Sequence, residues 1–154
     1  MSTWYSVVVA PTCDSALAAA LSAALQASPV CAAVDVAFLF GSAARGGLLH
    51  AESDVDVGIV PVSRAMTLRQ ELEVQAELQR VCGRLVDLVR LDGSDTLLRW
   101  EVARSGWVLL ERSSGVAARF RAQAALEHAD IAPLIEAGAE RWRLAVLAGK
   151  GALR

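Results

Sequence analysis

Phe38-Leu39-Phe40-Gly41-Ser42-Ala43-Ala44-Arg45-Gly46-Gly47 is followed, after a short loop, by Ser53-Asp54-Val55-Asp56-Val57-Gly58-Ile59-Val60. The first segment is typical of a buried strand that ends in a tight glycine-serine turn and continues as a short helix. The second segment predicts an apolar strand that carries two acids. Together they predict a hairpin-like pair of strands. With the helices predicted along the rest of the chain, the fold class is α/β (α+β).

The two acids of the second segment predict a cation site. Asp54 and Asp56 are two residues apart, so on a strand both side chains point to the same face. Val55, Val57 and Ile59 point to the opposite face, toward a core. Two carboxylates on one face repel each other unless a cation lies between them, and Mg²⁺ is bound by carboxylates together with substrate phosphates.

The glycine-serine turn predicts a phosphate site beside these acids. The free N–H groups of a helix start, with little side chain around Gly41 and Ser42, suit a phosphate. Arg45 follows as a candidate contact for a phosphate or for a second substrate that accepts a group from it. The alternative is that Arg45 is a solvated arginine on the helix surface. Each motif alone is common, since Gly-Ser also forms plain turns and Asp-x-Asp is often solvated surface. Their combination predicts a site for a nucleotide and a metal ion.

A third acid interrupts another apolar segment. Residues 84–90 read as a strand in which Asp87 lies between Val86 and Leu88. If this strand lies beside the Asp54/Asp56 strand, Asp87 lies about 5 Å from those acids, one strand spacing away. The alternative is an acid on an exposed edge strand.

The remaining elements follow from periodicity and from start and stop residues. The predicted strands are 34–40, 54–60 and 107–110, with an edge strand at 4–10. The predicted helices are 14–26, 67–81, 95–104 and 116–130. Pro133 starts or kinks a final helix that ends near Ala148. On helix 67–81 we expect the apolar face to consist of Leu68, Leu72, Ala76 and Leu78.

Composition limits the classes of function. The 154 residues carry a formal net charge of -2 and no basic cluster, which argues against broad nucleic-acid binding. No apolar run reaches the roughly 18 residues of a membrane helix, and no signal peptide is evident. The three cysteines lack metal-ligand spacing. We therefore expect a single cytoplasmic domain over residues 1–154, with a core at about 34–112 and a C-terminal helical region at about 115–148.

The quoted motifs resemble the signature of nucleotidyltransferases related to DNA polymerase beta, and more narrowly the minimal nucleotidyltransferases (MNT). Eleven residues separate Ser42 from Asp54, one more than is usual in MNT proteins, and the surplus falls in the loop 46–52. The segments Leu98-Arg99-Trp100-Glu101 and Gly106-Trp107-Val108-Leu109 add to the resemblance, which covers about residues 34–130. It implies the nucleotidyltransferase fold, a small mixed sheet flanked by helices and followed by C-terminal helices.

The resemblance also implies a reaction and a partner. Asp54, Asp56 and Asp87 would hold two Mg²⁺ ions, and Gly41 and Ser42 would hold the β- and γ-phosphates of ATP. Stand-alone MNT proteins of this size pair with HEPN-domain toxins, and the family implies transfer of AMP to a tyrosine hydroxyl of the toxin.

Two other functions stay open at this stage, together with a homo- or hetero-oligomeric state. One is transfer of a nucleotide to a small molecule such as an aminoglycoside. The other is a non-catalytic module that blocks a toxin by contact.

Overall fold

The computed structural model describes residues 15–45 and 54–147. The predicted strand at 4–10 and the loop 46–52 lie outside the described residues. The elements in chain order are α1 (Ser15–Ala27), a 3₁₀ helix (Pro29–Ala33), β1 (Val34–Phe40), α2 (Gly41–Ala44), β2 (Val55–Pro61), α3 (Leu68–Cys82), β3 (Val86–Arg90), α4 (Thr96–Ser105), β4 (Trp107–Glu111) and α5 (Val116–Leu147).

The described strands form a mixed four-stranded sheet in the order β3-β2-β1-β4. β1 pairs antiparallel with both β2 and β4, whereas β2 and β3 run parallel. A parallel pair needs a crossover connection, and α3 supplies it. The fold class predicted from the sequence, a small mixed sheet flanked by helices, is confirmed.

The two faces of the sheet are covered by different helices. Val55, Val57 and Ile59 of β2 belong to the core cluster formed with α1 and α3. Side chains alternate along a strand, so Asp56 and Gly58 face the other side, where Phe38 of β1 packs with α4 and α5. Asp56 therefore lies on the face of the sheet that α4 and α5 cover.

Arg112, just after β4, ties the connection between α1 and β1 to the sheet. Its guanidinium donates hydrogen bonds to the carbonyl oxygens of Val34 at 2.7 Å and of Leu25 and Cys31 at 2.9 Å. These bonds satisfy backbone acceptors at the end of α1 and in the 3₁₀ helix, where helix geometry leaves carbonyls without a partner.

The predicted apolar face of α3 is wrong in three of its four positions. Leu68, Leu72 and Ala76 are exposed, and the helix instead buries Val74 together with Leu78. The ends of the helix were predicted to within a residue: Thr67 forms a capping box with Gln70, and Gly83 ends the helix with a φ of 66°. The caps fix where the helix begins and ends, but the sheet decides which face is buried.

The C-terminal region is one continuous helix. The alternative in which Pro133 starts a separate helix is wrong, because α5 runs from Val116 to Leu147 with Pro133 inside it. Proline inside a helix removes one hydrogen-bond donor and typically kinks the helix without ending it, and Pro133 lies on an exposed part of α5.

No helix within residues 15–45 and 54–147 is long and apolar enough to cross a lipid bilayer.

Two matched substitutions test which face of α3 is buried. We expect Leu78→Ala to lower the free energy of unfolding by about 2–5 kcal/mol, because Leu78 is fully buried. Leu72→Ala removes the same atoms from a side chain that is 55% exposed, and should change stability by less than about 0.5 kcal/mol. Urea denaturation measures both, and equal losses would contradict the assigned face.

Candidate functional site

The site is built around the close approach of Gly41 to Asp56. Phe40, the last residue of β1, pairs with Asp56 of β2, so α2 begins directly beside this carboxylate. Gly41 has a φ of 67°. A Cβ atom added to it would overlap Oδ2 of Asp56 and lie 2.9 Å from Cγ. Gly41 is therefore required both by its backbone conformation and by the space that Asp56 occupies.

The sheet brings the third acid to the same place. In the parallel register of β2 and β3, Asp56 pairs directly with Asp87. Val55 also donates its N–H to the carbonyl of Leu85 at 2.9 Å, which fixes this register. Paired residues on neighbouring strands lie on the same side of a sheet, about 5 Å apart. The prediction that Asp87 lies on the strand beside Asp56 is therefore confirmed, although β3 is an edge strand of the described sheet and Asp87 is exposed.

The charges of the two other acids act on Asp56. Burial raises the pKa of Asp56 above its usual value, and the negative charges of Asp87 and Asp54 raise it further. Arg45 acts in the opposite direction and lowers this pKa. Asp56 is thus the partly buried centre of the site, with Asp54 and Asp87 exposed beside it. The structure therefore brings Asp54, Asp87 and Arg45 within range of the charge on Asp56.

The short helix α2 places Ser42 at the surface of this site. Ala43 and Ala44 are buried in the core and anchor the helix, while Ser42 is exposed. Within α2 and its flanking residues no side chain caps the first turn. The position of Ser42, one residue after the Gly41–Asp56 contact, fits the predicted phosphate cradle.

Arg45 ends α2 and forms an ion pair with α4. Its Nη1 lies 3.2 Å from Oε1 of Glu101. The other carboxylate oxygen of Glu101 accepts a hydrogen bond from Arg104 at 2.8 Å, and this bond is the main cause that lowers the pKa of Glu101. Glu101 was not predicted to contact the site, because its sequence pattern shows only a Glu–Arg pair within one helix. The pair with Arg45 depends on how α4 packs against the sheet.

The donor set fits a hard divalent cation, but the carboxylates do not converge on one point. Within residues 15–45 and 54–147, no group of three or more Asp, Glu, His or Cys side chains is arranged to coordinate a metal ion as it stands. Neighbouring carboxylate oxygens are ligands of the type that Mg²⁺ prefers, and a bound cation would relieve the repulsion between their charges.

A groove of about 560 Å³ lies at the other end of β2. Its lining includes Val60, Arg64, Arg99 and Arg119, and none of the three aspartates borders it. Leu91 packs against Gly58 between the groove and the three aspartates, so the groove is separate from the carboxylate site.

Two glycine variants isolate the contact between Gly41 and Asp56. Gly83 has almost the same φ as Gly41, 66° against 67°, but a Cβ on Gly83 meets nothing within 4 Å. Gly83→Ala should therefore cost only the backbone strain, about 1–2 kcal/mol. Gly41→Ala should cost more, because the new methyl group displaces the Asp56 carboxylate. Equal losses of unfolding free energy in the two variants would show that this contact is not tight.

The pKa of Asp56 predicts an unusual pH dependence of stability. Because folding raises this pKa, ionised Asp56 opposes folding at neutral pH, and the penalty disappears below its usual value of 3.8. In the absence of divalent ions, Asp56→Asn should therefore raise the melting temperature at pH 7, and the gain should shrink as the pH falls toward 3.8.

Asp92 provides a control of opposite sign. Hydrogen bonds from Arg90 lower the pKa of Asp92, so its ionised form stabilises the fold above pH 3.8 and this contribution is lost on acidification. Asp92→Asn should lower the melting temperature at pH 7. If both variants moved the melting temperature in the same direction, the repulsion assigned to Asp56 would be wrong.

Comparison with known proteins places this geometry in a family. Residues 25–115 match the family described as Polymerase beta, Nucleotidyltransferase. This segment contains the glycine-serine turn and all three aspartates. No curated protein matches the sequence.

The fold is similar to that of several solved structures. One is the toxin–antitoxin complex MntA–HepT, at a TM-score of 0.58 and 18% identity, over 79% of this chain and 95% of the other. A second is a toxin–antitoxin complex with AMP-PNP. Its TM-score is 0.56 and its sequence identity is 22%, over 68% of this chain and 85% of the other.

A third is a tri-AMPylated HEPN toxin from Shewanella oneidensis in complex with MNT antitoxin. Its TM-score is 0.51 and its sequence identity is 19%, over 68% of this chain and 82% of the other. These identities are low, so the similarity shows a shared fold. The family match, in contrast, covers more than half of the chain, and the chain therefore belongs to the polymerase beta nucleotidyltransferase family.

Proposed function

We propose that this chain is a Mg²⁺-dependent nucleotidyltransferase that transfers AMP from ATP to a tyrosine hydroxyl of a HEPN toxin, as the antitoxin of a toxin–antitoxin pair in the cytoplasm. The observation that carries the proposal is the register that sets Asp87 beside Asp56, with Gly41 packed against the same carboxylate. A related fold is known with AMP-PNP and another with a tri-AMPylated HEPN toxin, which supports ATP and a HEPN partner.

The aspartates provide the negative charge that the reaction needs. Asp54, Asp56 and Asp87 would together hold two Mg²⁺ ions, which supply charge neutralisation for the triphosphate and for the attacking oxygen. Asp56, the most buried of the three, holds the fixed centre of the site, while the exposed Asp54 and Asp87 can adjust to the ligand. In this proposal Asp87 accepts the proton of the acceptor hydroxyl.

The turn and α2 bind the triphosphate. Backbone N–H groups at Gly41 and Ser42, with the Ser42 hydroxyl, contact the β- and γ-phosphates. Arg45 is 59% exposed, and its ion pair with Glu101 is weak enough to exchange for a phosphate. The hydroxyl oxygen of the acceptor forms a bond to the α-phosphorus, the bond from that phosphorus to the bridging oxygen of the β-phosphate breaks, and pyrophosphate leaves.

The direct test incubates this chain with ATP, Mg²⁺ and the product of the neighbouring gene, which on this proposal is a HEPN protein, and analyses that product by intact mass spectrometry. We expect the HEPN protein to gain the mass of one or more AMP units, with the modified residue a tyrosine. Asp54→Asn, Asp56→Asn and Asp87→Asn should each lower the rate by at least about 100-fold, because each removes a negative charge from the site. EDTA should abolish transfer.

Asp35→Asn is the matched control, because Asp35 lies near the far end of β1 and accepts a hydrogen bond from Ser113. Its rate should equal that of the wild type. An aspartate variant that still neutralises the toxin without transferring AMP would support the non-catalytic alternative. Transfer to an aminoglycoside, with none to the HEPN protein, would support the small-molecule alternative.

A further inference from the structure

The distal half of α5 extends beyond the packed part of the molecule. The helix has 32 residues, which corresponds to a length of about 48 Å. Its buried residues are Val116, Ala117, Phe120 and Ala124, all in the first nine positions. From Ala125 to Leu147 no residue of the helix is buried. The family match ends at residue 115, just before α5 begins.

The apolar surface of α5 does not stop where the packing stops. Residues spaced alternately by four and three positions continue the line of the buried Phe120 and Ala124 along the helix; they are His128, Ile131, Ile135, Gly138, Trp142 and Ala145. Spacing of this kind keeps side chains on one side of a helix and is the pattern of helices that pair side by side. We call the part from Ile131 to Ala145 the distal stripe.

The distal stripe exposes large side chains. Trp142 is 63% exposed and Ile135 is 41% exposed, and the neighbouring Leu134 and Val146 widen the stripe at 73% and 47%. Pro133 lies about 200° around the helix from Ile131, so its ring does not interrupt this surface. Contiguous exposed apolar surface of this kind marks an interaction site.

We propose that the distal stripe is a self-association surface, through which two copies of this chain pair with their α5 helices antiparallel. The separation of acidic and basic residues along α5 favours a second, antiparallel copy of this chain on the distal stripe. Residues 127–140 contain four acids and no Lys or Arg, whereas Arg141 and Arg143 follow directly. Glu127 and Glu140 already form ion pairs with Arg99 and Arg143 of the same chain, so the acidic charge offered to a second copy is that of Asp130 and Glu136. Antiparallel pairing sets the basic end of each helix against the acidic segment of the other, while parallel pairing would set like charges together.

The side chains of the distal stripe are also complementary in size in this arrangement. A two-fold axis between residues 136 and 137 places Ile135 of one copy opposite Gly138 of the other, and Ile131 opposite Trp142. Each large side chain thus meets a small or branched one, which allows close packing. Ala132 and Ala139 flank the stripe on one side and let the two helices approach closely.

The interface is large enough for a reversible dimer. The exposed stretch from Leu126 to Leu147 is about 33 Å long, and pairing two such faces buries on the order of 1,000 Å² in total, near the lower limit for a specific interface. We therefore expect a dissociation constant on the order of micromolar, and a dimer that forms and dissociates with concentration.

Sedimentation velocity over a concentration series up to about 200 µM tests the pairing, because this range spans a micromolar dissociation constant. The wild-type chain should pass from monomer to dimer. Ile135→Glu should shift the midpoint upward by at least about 30-fold, because it buries an unpaired charge. Circular dichroism checks that the variant is folded.

Leu144→Glu is the matched control: it also adds a glutamate to an exposed position of α5, where Leu144 is 55% exposed, but that position faces away from the distal stripe. It should dimerise like the wild type. A wild-type chain that stays monomeric at the highest concentration overturns the proposal, even if another protein binds the stripe. Equal effects of the two substitutions also overturn it.

Cysteine cross-linking tests the antiparallel orientation. When Ala132→Cys protein is mixed with Ala139→Cys protein under mild oxidation, we expect a mixed disulfide between the two variants, identified by peptide mass spectrometry. The chain without introduced cysteines controls for the native thiols. Only disulfides between identical variants, or none above that control, would contradict the antiparallel arrangement.

Discussion

The structure depends on the contact between a glycine without a side chain and a carboxylate that is partly removed from water. At Gly41 the chain passes from β1 into α2, and the Asp56 carboxylate occupies the position that a Cβ atom of residue 41 would take. Any larger residue would displace the acid, and any other backbone conformation would move the helix start. One contact thus holds the phosphate-binding turn and the central carboxylate in a fixed relation.

This arrangement has a cost in free energy, and the rest of the fold offsets it. Asp56 is partly buried and carries its charge near two further acids, so its ionised form opposes folding. Apolar packing on both faces of the sheet compensates, through one core cluster with α1 and α3 and another with α4 and α5. Bound cations would remove the same repulsion, and ligand binding and folding stability are therefore linked.

Much of the site could be predicted from local sequence, because its parts lie on elements with strong signals. β1 was predicted with its observed bounds, and the acid-bearing strand was one residue off at each end. The position of Asp87 followed from a single assumption about strand order. The buried face of α3 and the Arg45–Glu101 pair could not be predicted, because they depend on how helices pack on the sheet. The continuity of α5 through Pro133 depends on context that proline propensity ignores.

The central claim is that the three aspartates bind divalent cations opposite a triphosphate held at Gly41 and Ser42. A crystal grown with Mn²⁺ in place of Mg²⁺ and a non-hydrolysable ATP analogue tests it most directly, through the anomalous signal of the metal. We predict anomalous peaks bordered by Asp54, Asp56 and Asp87, with the β- and γ-phosphates against the turn. An analogue bound in the groove lined by Arg64 and Arg119, with no metal peak at the aspartates, would contradict the account.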